Sequence, residues 1–162
     1  IVAVDRDPEK LARAVRRGAT HAVNATQREV VGEVRAITGG GVEHAFEVVG
    51  NAATIRQAWD VLRTGGTATV VGVSPPGVEV SLPAIEFLSE KTITGSYYGS
   101  GDVHAALPSL AQLVIDGRLD LEDVVSDLIA LADVEAALER LRRGQGARSV
   151  IVIDQDLAGR EL

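Results

Sequence analysis

IVAVDRDPEKLARAVRRG, residues 1–18, is the stretch whose reading decides the fold. An apolar run from Ile1 to Val4 stops at Asp5, and Pro8 then stands where the first turn of a helix tolerates it. Leu11, Ala14 and Val15 recur at helical spacing until Gly18 ends the helix. The chain repeats this rhythm. HAVN (21–24) reads as the next strand, Val30, Val31, Val34 and Ile37 mark a second helix, and GGG (39–41) turns the chain into a strand, EHAFEVVG (43–50). A helix over Asn51–Leu62 follows, then the strands GGTATVVGV (65–73) and KTITGSYYG (91–99). Short, near-continuously apolar strands alternating with helices imply parallel strands covered on both faces. Crossovers in such a sheet are right-handed, which leaves a doubly wound α/β sheet as the simplest arrangement.

A ligand of that sheet lies at the carboxyl ends of its strands. Asp5 and Arg6, Asn24, and Val49 with Gly50 and Asn51 fall there. So do Gly72 with Val73 and Ser74, and Tyr97 with Tyr98. Asp5 carries the clearest chemistry. A carboxylate closing a strand accepts hydrogen bonds from the two hydroxyls of a ribose and repels a 2′-phosphate, which favours NAD over NADP. The other reading of Asp5 is an Asp that closes a strand and caps the turn into the next helix. In a dinucleotide-binding unit the acidic residue ends the second strand, and a glycine-rich phosphate turn lies about 20 residues earlier. Here those residues would precede position 1. Together with the absence of Met from all 162 residues, this gives the expectation of a fragment of a longer protein. Its Rossmann-like sheet would be incomplete, lacking the first strand and the glycine turn.

Composition narrows the function classes. The net charge is −7, with Arg dispersed among carboxylates and no basic patch, which argues against a nucleic-acid partner. No apolar run approaches the ~18 residues of a membrane-spanning helix, and no basic segment precedes a cleavage site, so no membrane partner and a cytoplasmic location are expected. There is no Cys, and His21, His44 and His104 are scattered, so no metal site is expected within the chain. GGG at 39–41 follows a helix and opens a strand, the reverse of a phosphate loop. His44, within an apolar strand, reads as a core or edge imidazole and not as a base. SPP (74–76) is a stiff turn.

The last third changes character. Leu107, Leu110, Ala111 and Val114 form one apolar stripe over a helix from Val103 to Asp116. Val134, Ala137, Leu138 and Leu141 form another from Asp133 to Arg143, with Asp133 as cap and Gly144 as stop. ARSVIVID (147–154) reads as a final strand and QDLAGREL (155–162) as a frayed polar tail. The expected organisation is a cofactor domain over 1–98, a segment over 99–154 and the tail over 155–162.

Three stretches carry a resemblance: IVAVDRDPEKLARAVRRGATHAVN, GGGVEHAFEVVGNAATIRQAWDVLRTGGTATVVGV and EKTITGSYYGS, in that order. From residue 1 to about 153 the chain resembles the medium-chain dehydrogenase/reductase superfamily, and within it the zinc-dependent alcohol dehydrogenases, as their carboxyl-terminal half. The resemblance implies that Asp5 takes the adenosine ribose hydroxyls, that Lys10 supports the same ribose and that Arg6 lies beside the adenine. Val49 and Gly50 would pass under the cofactor, and Val71 and Val73 would flank the nicotinamide. Backbone groups of Val71, Ser96 and Tyr98 would fix its carboxamide. Arg148 would meet the pyrophosphate, the other reading being a solvated Arg before a strand. The resemblance further implies an alcohol or aldehyde substrate, zinc and catalytic residues in a domain outside this chain, and 99–154 returning to that domain. A homodimer would form through the 92–99 edge strand. Three other readings stand beside it: a zinc-independent quinone reductase of the same superfamily, which Asp5 opposes; a catalytically silent nucleotide-binding or dimerisation fragment; and a methyltransferase with a similar acidic residue on its second strand, whose sheet normally ends in an antiparallel strand of which KTITGSYYG (91–99) gives no sign.

Overall fold

The computed structural model of the protein describes residues 1–121 and 124–154. The chain divides into two compact units, Ile1–Ser100 and Gly101–Leu162.

The first unit follows the strand–helix rhythm. Its elements are β1 (Val2–Asp5), α1 (Pro8–Arg16), β2 (His21–Asn24), α2 (Val30–Thr38), β3 (Val42–Glu47), α3 (Ala52–Asp60), β4 (Leu62–Val70) and β5 (Thr92–Gly95). Each helix start is fixed by a side chain that meets an otherwise orphaned amide. Asp7 accepts from Glu9 N ahead of Pro8, and Asn51 accepts from Thr54 N. Glu29 uses both carboxylate oxygens, Oε1 for Val31 N at 2.9 Å and Oε2 for Gly32 N at 2.6 Å. Gly39 ends α2 at φ 69, a left-handed conformation that glycine adopts without steric cost.

The strands pair in parallel as two sheets, β1 with β2 and β3-β4-β5 in that order. α2 takes the chain from the carboxyl end of β2 back to the glycine turn that opens β3, so β3 runs in the direction of β2. Val30 and Val34 of α2 pack with Val23 of β2 and Val61, and Val2 and Ala45 close around them, tying the two sheets into one core. A second cluster centres on Trp59, fully buried, with Leu62 and Ala68. Burial of a ring this size makes Trp59→Ala cost about 3–5 kcal/mol. Glu86 Oε2 accepts from Trp59 Nε1 and from Lys91 Nζ, each at 2.8 Å, and Phe87 lies 4.8 Å from the Trp59 ring.

The doubly wound α/β class holds, with a break. Between β1 and β3 lies a cavity of about 610 Å³ lined by Val2 and Val4, by Val42, Ala45 and Phe46, and by Val34. Coverage on both faces therefore fails at the edges of this gap, where Phe46 is 70% exposed. Boundaries also differ. The helix expected to reach Leu62 stops at Asp60, because Leu62 turns into the core as the first residue of β4. The strand expected over 91–99 ends at Gly95. Tyr98 then takes φ 48, and Tyr98–Ser100 forms a tight 3-10 turn.

The second unit contains α4 (Val103–Ile115), β6 (Val125–Ile129), α5 (Val134–Arg142) and β7 (Arg148–Ile151), with β6 and β7 parallel. Asp102 caps α4 through His104 N at 2.9 Å. The expected α4 stripe is exposed in this unit: Leu107, Leu110 and Val114 all meet solvent. Asp133 stands at the start of α5 without a capping hydrogen bond, because it leaves a 3-10 turn at ψ 4 instead of the extended backbone from which a cap reaches back. The sequence reading misses β6. The polar tail over 155–162 lies outside the described residues.

Candidate functional site

Asp5 closes β1 half-buried, and both readings of it apply to different oxygens. Its Oδ1 accepts from Arg6 N at 2.7 Å and Asp7 N at 2.9 Å, so the residue does cap its own turn. Oδ2 accepts no hydrogen bond among the described residues. The turn thus orients the carboxylate and leaves one oxygen for a ligand. Arg6, exposed, follows it directly in the chain, and Lys10 lies on α1.

The carboxyl ends of β3, β4 and β5 make a second cluster. Beyond the strand ends, Val71 N and Gly72 N both donate to Glu47 O, at 2.7 and 3.0 Å. The two segments then run into direct backbone contact. Gly50 has φ 83, and a Cβ there would lie 2.5 Å from Val73 O; a Cβ on Gly72 would likewise strike the Gly50 backbone. Around this crossing Val49, Val71 and Val73 are exposed. Ser96 N donates to Val70 O at 2.9 Å, and Tyr98, exposed, packs edge-on to Tyr97 with ring centroids 4.6 Å apart. The structure therefore gathers Val49, Gly50, Val71, Val73, Ser96 and Tyr98 along one end of a sheet, as the carboxyl-end rule requires. Arg148 belongs to the second unit, where it opens β7 and its Nη1 donates to Ala147 O at 2.8 Å.

These features suit a nucleotide. An oriented carboxylate with a spare oxygen fits a diol, and an exposed aliphatic rim over a side-chain-free crossing fits a flat ring. The GGG turn does not serve phosphate, since it ends α2 and enters β3. A metal is a different matter: among the described residues no group of three or more His, Cys, Asp or Glu could hold one. Among the described residues, too, no helix is long and apolar enough to cross a membrane.

The sequence reading passes over Glu47. It is 4% exposed, the one charged residue buried as a whole among the described residues. Its Oε1 accepts from Val49 N at 2.8 Å, Gly50 N at 2.9 Å and Thr54 Oγ1 at 2.6 Å, which pins the turn leading to the crossing. Its Oε2 is buried and has no partner among the described residues. The available signal was a single carboxylate inside the apolar strand HAFEVVG.

A depression of about 1050 Å³ lies at the other end of the second sheet, beside the GGG turn and Leu62. Its cations are engaged: Arg35 with Asp60 O at 2.7 Å, Arg56 with Asp60, Lys91 with Glu86, and Arg63 with Glu43, whose carboxyl that hydrogen bond holds below its ordinary pKa. The carboxyl-end cluster has the freer chemistry.

Comparison with known proteins identifies the family of the chain. Residues 1–114 match the family described as zinc-binding dehydrogenase. The chain is 30% identical over 154 residues to alcohol dehydrogenase 1 of Zea mays, covering 93% of this chain and 41% of that protein. It is 28% identical to the S-(hydroxymethyl)glutathione dehydrogenase of Synechocystis, covering 93% and 42%. The crystal structure of benzyl alcohol dehydrogenase from Acinetobacter calcoaceticus superposes with a TM-score of 0.89 at 30% identity, over 95% of this chain and 42% of that one. The chain thus spans about two fifths of the length of the relatives it matches. With a family match over most of its length and the same fold in a relative of similar identity, the chain belongs to the zinc-binding dehydrogenase family.

Proposed function

We propose that these residues form the cofactor-binding portion of an NAD-dependent, zinc-type alcohol dehydrogenase located in the cytoplasm. Bound NAD supplies the hydride acceptor at C4 of its nicotinamide, with an alcohol as donor and the aldehyde as product. The observation that carries the reading is the oriented Asp5 carboxylate with its spare Oδ2, closing a strand in a chain of this family. Asp5 takes the ribose diol, with Lys10 beside the ribose and Arg6 beside the adenine. Val49 and Gly50 run under the cofactor while Val71 and Val73 flank its nicotinamide. The amides of Val71 and Ser96 are already engaged on Glu47 O and Val70 O, so their carbonyls, with the Tyr98 amide, meet the carboxamide. Arg148 neutralises the pyrophosphate. Zinc and the proton relay belong to the rest of the complete protein, and the 162 residues alone turn over no alcohol.

The test is cofactor choice in the complete enzyme. Asp5→Gly weakens NAD by about 1–3 kcal/mol, the scale of lost charge-assisted hydrogen bonds, and improves the relative use of NADP. An unmodified enzyme that prefers NADP overturns the assignment.

A further inference from the structure

Glu47 organises the strand crossing from one position. Its backbone O accepts from Val71 N and Gly72 N, and its Oε1 accepts from Val49 N, Gly50 N and Thr54 Oγ1. Val73 lies against Gly50, so the floor and both flanks of the rim are tied to this residue. Holding a turn asks only for an acceptor, which the amide oxygen of a glutamine supplies as well. A charge is the costlier choice, because Glu47 is 4% exposed and its Oε2 is buried without a partner among the described residues. The three partners of its side chain are neutral donors, two amides and a hydroxyl. A group that accepts three hydrogen bonds and donates none among the described residues has the pattern of a carboxylate. Residues 48–55 and 71–78, which follow β3 and β4, and 92–100, which carry β5 and its end, contain no charged residue. Along the chain, Glu47 is therefore the one charge built into the rim, and, buried as it is, water screens it little.

The nicotinamide ring changes charge in the reaction proposed above. Oxidised, it is a pyridinium cation; on taking a hydride at C4, two electrons with one proton, it becomes a neutral dihydropyridine. A fixed negative charge beneath the ring attracts the first form and is indifferent to the second, and charge near the ring is one of the levers a protein has on a cofactor's electronics. We propose that the buried Glu47 carboxylate holds the oxidised, cationic nicotinamide in preference to the reduced one, and so biases the bound couple toward aldehyde reduction. The assignment rests on the reading of this rim as the nicotinamide site of an NAD-dependent dehydrogenase. It adds to that reading a residue that acts by its charge and not only by the turn it pins.

Equilibrium binding of both cofactor forms to the complete protein, NADH by its fluorescence and oxidised NAD by competition against it, separates charge from scaffolding. In Glu47→Gln, which keeps the acceptor and removes the charge, Kd for oxidised NAD divided by Kd for NADH rises about tenfold or more. In Thr54→Val, which takes a donor from the same oxygen and keeps the charge, the two constants move together and the ratio stays within about twofold of the wild type. A ratio unmoved in Glu47→Gln, or moved as far in Thr54→Val, overturns the proposal. Should Glu47→Gln not fold, Val49→Lys decides, since it sets a cation at an exposed position whose amide already sits on Oε1. A rise of about tenfold there bears out a rim that sorts the two forms by charge, and a ratio within about twofold of the wild type overturns it. A wild type that binds neither form overturns the cofactor reading and this proposal with it; one that binds both, with an unmoved ratio in the variants, overturns this proposal alone.

Discussion

Thr54 Oγ1 donates to Glu47 Oε1 at 2.6 Å, joining the first turn of α3 to the last residue of β3 beneath the strand crossing. The contact is part-buried, and losing one partner leaves the other's polar capacity unmet. Thr54→Val, which keeps the shape, is expected to lower unfolding stability by about 1–2 kcal/mol, and Thr54→Ser to restore most of it. Urea midpoints of the three proteins measure this; a Val variant as stable as the wild type removes the contact from the account.

Backbone crowding at the crossing gives a second expectation. Gly50→Ala combines a positive φ with a Cβ driven into Val73, whereas Gly77→Ala has φ 85 but nothing within 4 Å. The first should cost at least about 2 kcal/mol and the second about 1 kcal/mol, the strain alone. Equal losses would mean that the crossing opens freely.

Acid should loosen the Trp59 cluster. The hydrogen bond from Lys91 holds the Glu86 carboxyl below its ordinary value of 4.5, with the Trp59 indole N–H adding to it and burial opposing both. A carboxylate whose folded pKa is lowered contributes stability above its unfolded pKa and loses it as pH falls through the folded one. Unfolding midpoints are therefore expected to drop as pH falls below 4.5, with a shallower drop in Glu86→Gln. Parallel profiles for the two proteins would refute the assignment.

Association through β5 can be tested without touching the core. Ser96 N donates inward to Val70 O, so the alternation of a parallel strand points the Ile93 and Gly95 amides outward. Ile93 packs on the Trp59 cluster, but Gly95 is exposed, and a Cβ there meets only Val70 O, at 4.0 Å. If the complete protein dimerises by pairing this edge with its mate, Gly95→Pro should yield monomers at micromolar concentration in sedimentation. A dimer that survives the substitution disposes of edge pairing.

What was legible in the sequence followed from period and punctuation. Asp5 and Pro8 mark a strand end and a helix start in any context, and the valines of α2 recur at helical spacing, so β1, α1, β2 and α2 emerge almost at their true bounds. β6 stayed hidden because Ser126 and Asp127 split its apolar residues, and its pairing with β7 is a long-range fact. There Ser126 Oγ accepts from Arg148 N at 3.2 Å, a contact no local pattern announces. Tyr97 and Tyr98 carry strand propensity, yet the chain turns at Gly99, φ 76. In the site, Asp5 was visible because strand position alone gives it a role. Glu47 was not, because its role depends on Val49, Gly50 and Thr54 converging on it after the chain has folded.

Trp59 is the chain's one tryptophan, and every other aromatic residue, Phe46, Phe87, Tyr97 and Tyr98, also precedes Gly101. The near-ultraviolet spectrum therefore belongs entirely to the first unit. Its indole, sealed from solvent, with the Lys91 ammonium 5.2 Å and the Phe87 ring 4.8 Å from its centroid, makes emission a report on that core alone. The unit from Gly101 onward is optically dark. A melt followed by fluorescence and by far-ultraviolet dichroism will diverge wherever the two units unfold at different temperatures, so the difference between the traces isolates the dark half without any label.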